Sequence, residues 1–175
     1  MRFVLAFLGV LAAVGILAFA CGDDDGLTLE EYLREVETTF DIFYAGSDRL
    51  QGDASAAVEQ AETDEQKVVA LRDLWASLDS LYRQAVSDVA GLRPPTEARD
   101  AHDRWLAVEN EGSDLVNELN DRAHRATSLG ELVELNGEFE GPDATDLSER
   151  SRAACDDLQS IADENDIAVD LKCEN

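Results

Sequence analysis

Apolar residues recur along this chain at intervals of three and four, the spacing that lines one face of an α-helix, and they do so in four separate runs. The first, Leu29, Leu33, Val36, Phe40 and Phe43, comes after Thr28 and Glu31, a T-x-x-E pair in which each side chain can satisfy the other's backbone N–H. Gly46 and Ser47 weaken this run, and Gly52–Ser55 reads as a connection, with the alanine-rich stretch beyond it open to a helical reading as well. The second run uses Leu71, Leu74, Leu78, Leu81, Ala85 and Val89, broadened by Trp75 and Tyr82, and stops at Gly91. Pro94 and Pro95 then enforce a corner, because proline restrains its predecessor away from helical geometry, and Thr96 is placed to cap the next helix. The third run is Ala98, Ala101, Trp105, Val108, Gly112, Leu115 and Leu119; the fourth is Leu147, Ala154, Leu158 and Ile161, with Thr145 as its expected cap.

Between the third and fourth runs the pattern predicts a crossover. Ser128 and Glu131 can cap a short turn carrying Leu132 and Leu135, after which Asn136-Gly137 and Gly141-Pro142 break the chain. Beyond Asn165 the period changes to two: Ile167, Val169, Leu171 and Cys173 alternate with polar residues, so an extended tail would turn all four toward one side. Amphipathic segments of similar length joined by tight corners predict an all-α fold, an antiparallel four-helix bundle with a short crossover helix and an extended C-terminal tail folded back on the last helix. Neither a glycine-rich phosphate loop nor strand–helix alternation is present, which argues against an α/β enzyme.

The first 26 residues obey another logic. Met1-Arg2 precedes an uncharged apolar run from Phe3 to Ala20, the layout of a positively charged n-region and an apolar h-region. The run ends Leu17-Ala18-Phe19-Ala20-Cys21, which resembles the lipobox of bacterial lipoproteins, although Phe19 stands where a smaller residue is usual. That resemblance implies cleavage before Cys21 and acylation of its thiol, and more than one acyl chain gives stable anchoring where one is marginal. An uncleaved membrane-spanning anchor is the alternative, since the run is close to the roughly 18 residues needed to cross a bilayer. The expected organisation is a lipoprotein signal peptide over 1–20, an acidic tether over 21–27 that includes Asp23, Asp24 and Asp25, a helical bundle over 28–165 and a tail over 166–175.

Charge narrows the partners. The chain holds 39 acidic and 14 basic residues, a formal charge of −25, one unit more negative once Arg2 is removed. Such a field opposes nucleic acid and anionic membrane surfaces and suits basic or cationic envelope partners. Cysteine count narrows the compartment. With Cys21 taken by lipid, Cys155 and Cys173 remain as a pair that an exported setting allows to join. A helix from Cys155 to Asn165 travels roughly 15 Å, and an extended return over the tail covers that distance. Closing this loop is worth about 3 kcal/mol on the chain-entropy model; two unpaired thiols are the competing reading.

Three stretches, LTLEEYL at Leu27–Leu33, Leu92-Arg93-Pro94-Pro95 with His102 beyond it, and AACDDLQSIADENDIAVDLKC at Ala153–Cys173, resemble a group of helical lipoproteins from environmental bacteria, including Chloroflexi-type ones. The resemblance implies an extracytoplasmic helical lipoprotein, held at the cell membrane by lipidated Cys21 and with its terminal cysteines paired. It implies no activity.

Candidate chemistry is sparse. A dimetal bundle needs glutamates on two helices and Glu-x-x-His on the other two, whereas this chain has two histidines and, as its nearest match, Asp121-x-x-His124. His124 lies beside Arg122 and Arg125, where cations meet a helix C-terminus favourably. Asp23-Asp24-Asp25-Gly26 lacks the distal glutamate of a calcium loop, and no serine sits in a nucleophile elbow. The reading is therefore no catalytic residue, no metal and no cofactor. The expected function is a lipid-anchored interaction or scaffold module working through acidic faces such as Glu30, Glu31, Glu35 and Asp41, or Glu109, Glu111, Asp114 and Glu118. The alternative is a solute- or cation-binding bundle with a pocket near Trp75, Trp105 and His102.

Overall fold

A computed structural model describes residues 26–139 and 141–173. The apolar leader, Cys21 and the three aspartates after it lie outside the described residues. Among the described residues there are five α-helices and no strand: α1 (Leu29–Gln60), α2 (Asp64–Ala90), α3 (Arg99–Arg125), α4 (Leu129–Phe139) and α5 (Pro142–Glu164). None is long and apolar enough to cross a membrane.

Local chemistry sets most of the boundaries. At the start of α1 the Glu31 N–H donates to Thr28 Oγ1 (3.3 Å) and the Thr28 N–H donates to Glu31 Oε2 (3.0 Å), a reciprocal cap that holds the Glu31 carboxyl below its ordinary range. Thr63 and Gln66 repeat the device at α2, each backbone N–H donating to the other's side-chain oxygen. The crossover is an eleven-residue helix whose first turn is closed by Ser128 and Glu131, as their spacing implied.

Several boundaries differ from the sequence reading. The break at Gly52–Ser55 does not exist: α1 runs unbroken through it to Gln60, and the connection is 61–63. Gly46 is there because α2 comes close, a Cβ at that position standing 2.9 Å from Leu81 Cδ2. Gly52 faces open space and costs the helix only about 1 kcal/mol of propensity, which buried Ala54 and the α2 contact offset. Thr96 does not cap α3; the N-cap is Ala98, with no side-chain bond, because the Ala98 N–H closes a turn onto the Pro95 carbonyl (3.1 Å) and its methyl is fully buried. Thr145 does not cap α5 either. The helix begins at Pro142, whose fixed φ suits a first position, and the Thr145 hydroxyl bonds back to the Gly141 carbonyl (2.9 Å). Asn136-Gly137 fails to break α4, which packs Leu132 and Leu135 into the core and continues to Phe139.

Contacts descend along one helix as they ascend along the next: Gly46 meets Leu81 and Phe43 meets Tyr82 between α1 and α2, and Arg104 meets Asp157 and Glu111 meets Arg150 between α3 and α5. The core falls into two apolar clusters. One joins Tyr32, Leu33, Val36 and Phe40 of α1 to Val89, Trp105, Leu158 and Leu171; the other joins Val68 and Trp75 of α2 to Leu119, Ala123, Leu132 and Leu135. The α2 leucines 71, 74, 78 and 81 are partly buried, while Val68, Trp75, Asp79 and Val86 are buried. Arg72 donates to the Ala126 carbonyl and so satisfies an acceptor at the end of α3.

The tail closes the first cluster. After Asn165 the chain takes a left-handed residue at Asp166 (φ 55°), the Ile167 N–H bonds to the Ala162 carbonyl (2.9 Å) and the Asp166 N–H to that of Asp163 (3.2 Å), which ends α5 and reverses the chain. The side-chain amide of Gln159 then grips the extended segment, donating to the Val169 carbonyl (3.1 Å) and accepting from the Leu171 N–H (3.0 Å). Leu171 is fully buried, and the sulfurs of Cys155 and Cys173 lie 2.00 Å apart, at disulfide distance. On its other side the tail meets α1, where the Asp170 N–H donates to Glu37 Oε1 (2.8 Å) and Lys172 pairs with Asp41.

Candidate functional site

Polar side chains are buried between the two apolar clusters, and three helices supply them. Glu109 of α3 is 6% exposed. The Tyr82 hydroxyl of α2 donates to its Oε2 (2.5 Å) and the Ser151 hydroxyl of α5 donates to its Oε1, so each carboxylate oxygen is engaged by a neighbouring helix. Burial, and then the nearby Glu109, push the Tyr82 phenol far above its ordinary range, and Tyr44 is raised for the same two reasons. The phenol therefore stays a donor. Gly112, one turn after Glu109, makes room for it, since a Cβ there would overlap the Tyr82 hydroxyl.

A second polar group lies one turn back along α2. Asp79, 8% exposed, is held by Arg83 through Nε (2.9 Å) and Nη2 (3.0 Å) and accepts from Asn120 Nδ2 (3.3 Å); Arg83 also reaches Asn117. Donating to the Asp79 carboxylate raises the Arg83 guanidinium above its ordinary value. A buried carboxylate with a bidentate arginine and an amide donor is paired in the way burial of charge requires. The two groups tie α2 to α3 and α3 to α5 at fixed heights. Among the described residues no group of three or more His, Cys, Asp and Glu is placed to hold a metal ion.

The residues singled out from sequence are distributed elsewhere. Cys21 lies outside the described residues, and Cys155 and Cys173 meet. Trp75, Trp105 and His102 do not form one pocket: Trp105 packs tilted against Phe40 (5.2 Å between centroids) in the first cluster, while Trp75 packs edge-on to Phe139 (5.6 Å) in the second. His102 is buried, and its Nδ1 lies 2.9 Å from the Tyr32 hydroxyl. Burial lowers the imidazole and raises the phenol, so a neutral ring and a protonated phenol share this bond. His124 is exposed in the last turn of α3 with Arg122 and Arg125.

The acidic faces are partly consumed by the fold. Glu31 caps α1, Glu30 pairs with Arg34, Asp41 with Lys172 and Glu111 with Arg150, and Glu109 is interior. Glu35, Asp114 and Glu118 are exposed. The apolar stripe through Val108 and Leu115 passes beside Glu109, but both are only partly buried; the interior face runs through Trp105, Glu109, Gly112, Val116, Leu119 and Ala123. A signal was present, as Glu109, Val116 and Ala123 repeat at sevens.

One concavity stands apart from these polar groups, a cleft of about 260 Å³ lined by Gln51, Ala54, Ser55 and Val58 of α1 and Leu71 and Leu74 of α2. It opens at the end of the molecule farthest from the tail. No family model, curated protein or solved structure matches this chain.

Proposed function

We propose that the chain is a lipid-anchored helical module of the cell envelope that works by holding other proteins. The observation that carries this reading is the accounting of its three thiols. The sulfurs of Cys155 and Cys173 sit at disulfide distance, which leaves Cys21, at the end of the apolar leader, as the thiol without a sulfur partner, in the place where a lipoprotein is acylated. A disulfide is stable where exported proteins fold and is reduced in the cytosol, so the pair and the leader favour the same compartment.

The geometry gives the reading a direction. Leu29 opens α1 eight positions after Cys21, and α1 begins at the tail-closed end. The 32 residues of α1 span about 48 Å at 1.5 Å each, carrying the opposite end away from the bilayer. The excess of acidic residues keeps the domain off an anionic surface.

The test compares the full chain with Cys21→Ser by membrane fractionation and intact mass. The expected result is a wild-type protein in the membrane fraction whose mass is that of residues 21–175 plus acyl groups, and a Cys21→Ser variant with no added lipid. A wild-type mass that retains residues 1–20 and carries no lipid would sink the lipoprotein reading in favour of an uncleaved span.

A further inference from the structure

The end of the molecule remote from the tail is built as a bundle with one position empty. There, α1 packs on α2 alone, while α4 packs on α2 and α3 and makes no close backbone approach to α1. The space between is the 260 Å³ cleft, whose floor is Ala54, Val58, Leu71 and Leu74. From Gln51 to Val58 it tracks α1 for two turns, about 10 Å. The same end exposes Val69 (53%), Val133 (67%) and Phe139 (45%), three of the four large apolar side chains exposed among the described residues.

The α1 side of the rim carries one sign of charge. Asp48, Ser55 and Glu59 fall on one stripe of α1 at spacings of seven and four, and Glu62 stands in the connection just beyond. All four are exposed, and among the described residues none of the three carboxylates is in an ion pair. Elsewhere the fold uses its cations on its acids, as at Arg34–Glu30, Arg104–Asp157 and Arg150–Glu111. An apolar floor two turns long between helices accepts the apolar stripe of another helix. An unneutralised acidic rim selects Lys and Arg on the flanks of that stripe.

We infer that this cleft is the docking groove for a cationic amphipathic helix of a partner protein, the helix lying along α1 with apolar residues over Ala54, Val58, Leu71 and Leu74 and basic residues against Asp48, Glu59 and Glu62. This rests on the interaction-module reading and names the partner's chemistry. A second copy of the chain is disfavoured as occupant because two molecules of charge −25 repel as they approach.

The experiment uses the full chain in nanodiscs of zwitterionic lipid, at physiological salt, titrated into a fluorescent peptide of leucine and lysine patterned as one apolar helical stripe. A scrambled peptide of identical composition is the control. Binding of the patterned peptide at least tenfold tighter than the scrambled one is expected, with Val58→Glu reversing that preference. The doubly substituted Asp48→Lys, Glu59→Lys protein, altered only at exposed positions, is expected to lose several-fold in affinity and to flatten the salt dependence. Equal binding of the two peptides would reduce the effect to bulk charge and overturn the groove. So would patterned binding that both variants leave intact, or a dimer in sedimentation that Val58→Glu dissolves. The mass of Cys21 is read separately, so failure of the groove and failure of the anchor are distinguishable.

Discussion

The two ends of this bundle meet the same problem, how to cover the inner faces of α1 and α2 where a neighbouring helix is missing, and solve it differently. At the end where α1 begins, α5 and α1 touch directly at few points, and the extended segment 166–173 fills the gap, with Leu171 fully buried, Gln159 gripping its backbone and Cys173 reaching Cys155. At the far end the short α4 covers α2 and α3 but not α1, and the cleft beside Ala54 and Val58 stays open. An end closed by a tail and a sulfur bridge suits a fixed base. An end left short of a helix suits a surface that another molecule completes.

The largest effect that would separate the two ends comes from shortening one leucine at each. Leu171→Ala removes a fully buried side chain whose backbone is held by Gln159 and by the nearby Cys155–Cys173 pair, and is expected to cost about 3 kcal/mol, within the range for buried leucines. Leu74→Ala, on the floor of the open cleft and only partly buried, is expected to cost about 1 kcal/mol, because less surface leaves water there in the first place. Urea unfolding of both variants measures the difference. Equal losses would mean that the cleft is packed as tightly as the tail-closed end, and the contrast would fail.

A smaller effect, of opposite sign at two glycines, probes the polar groups between the ends. Gly112→Ala places a methyl where the Tyr82 hydroxyl sits; the phenol must withdraw from Glu109, leaving a buried carboxyl short of a donor, at about 1–3 kcal/mol. The helix propensity of alanine returns about 1 kcal/mol, so the net expectation is a loss of up to about 2 kcal/mol. Gly52→Ala, at the open end of α1 with nothing near its Cβ, keeps the propensity gain alone and is expected to stabilise by about 1 kcal/mol. If thermal unfolding finds both substitutions stabilising, Tyr82 moves freely and the Glu109 group does not hold its register.

Much of the tail-closed end was legible in the residues. The alternation of Ile167, Val169, Leu171 and Cys173, with Cys155 within reach, is a local pattern, and a reciprocal cap such as Thr28 with Glu31 involves residues three apart. The illegible features depend on contacts distant in sequence. Gly46 reads as a helix breaker until Leu81 is seen against it, and Gly52–Ser55 reads as a link until Ala54 is seen buried. Glu109 reads as part of an exposed acidic face because the α3 stripe passes through Val108 and Leu115, and a lone carboxylate is expensive to bury. Only the hydroxyls of Tyr82 and Ser151, 27 and 42 positions away, make that burial tolerable, and no periodicity announces them. The caps of α3 and α5 were misplaced for a related reason: proline chemistry at Pro95 and Pro142 sets where each helix starts, ahead of the threonines nearby.

The smallest effect is a dependence on pH at the tail-closed end. His102 is buried there against Tyr32, with Asp103 the charged neighbour that partly opposes the effect of burial. Its folded pKa lies below the ordinary histidine value because the interior disfavours the imidazolium. In the unfolded chain the ring takes up a proton near its ordinary value, about 6.5, while the folded ring remains neutral to lower pH. The unfolded state therefore binds more protons in that interval. Stability is at its full value above about pH 6.5 and falls as the pH is lowered toward the depressed folded value. His102→Asn keeps a polar partner for Tyr32 and removes the titration. Comparing the urea midpoints of the two proteins between pH 7.5 and 5.5, we expect the wild type to lose more than the variant, by less than either glycine effect. Parallel curves would mean that His102 takes its proton as readily folded as unfolded, and hence that water reaches the tail-closed end as freely as it reaches the open one.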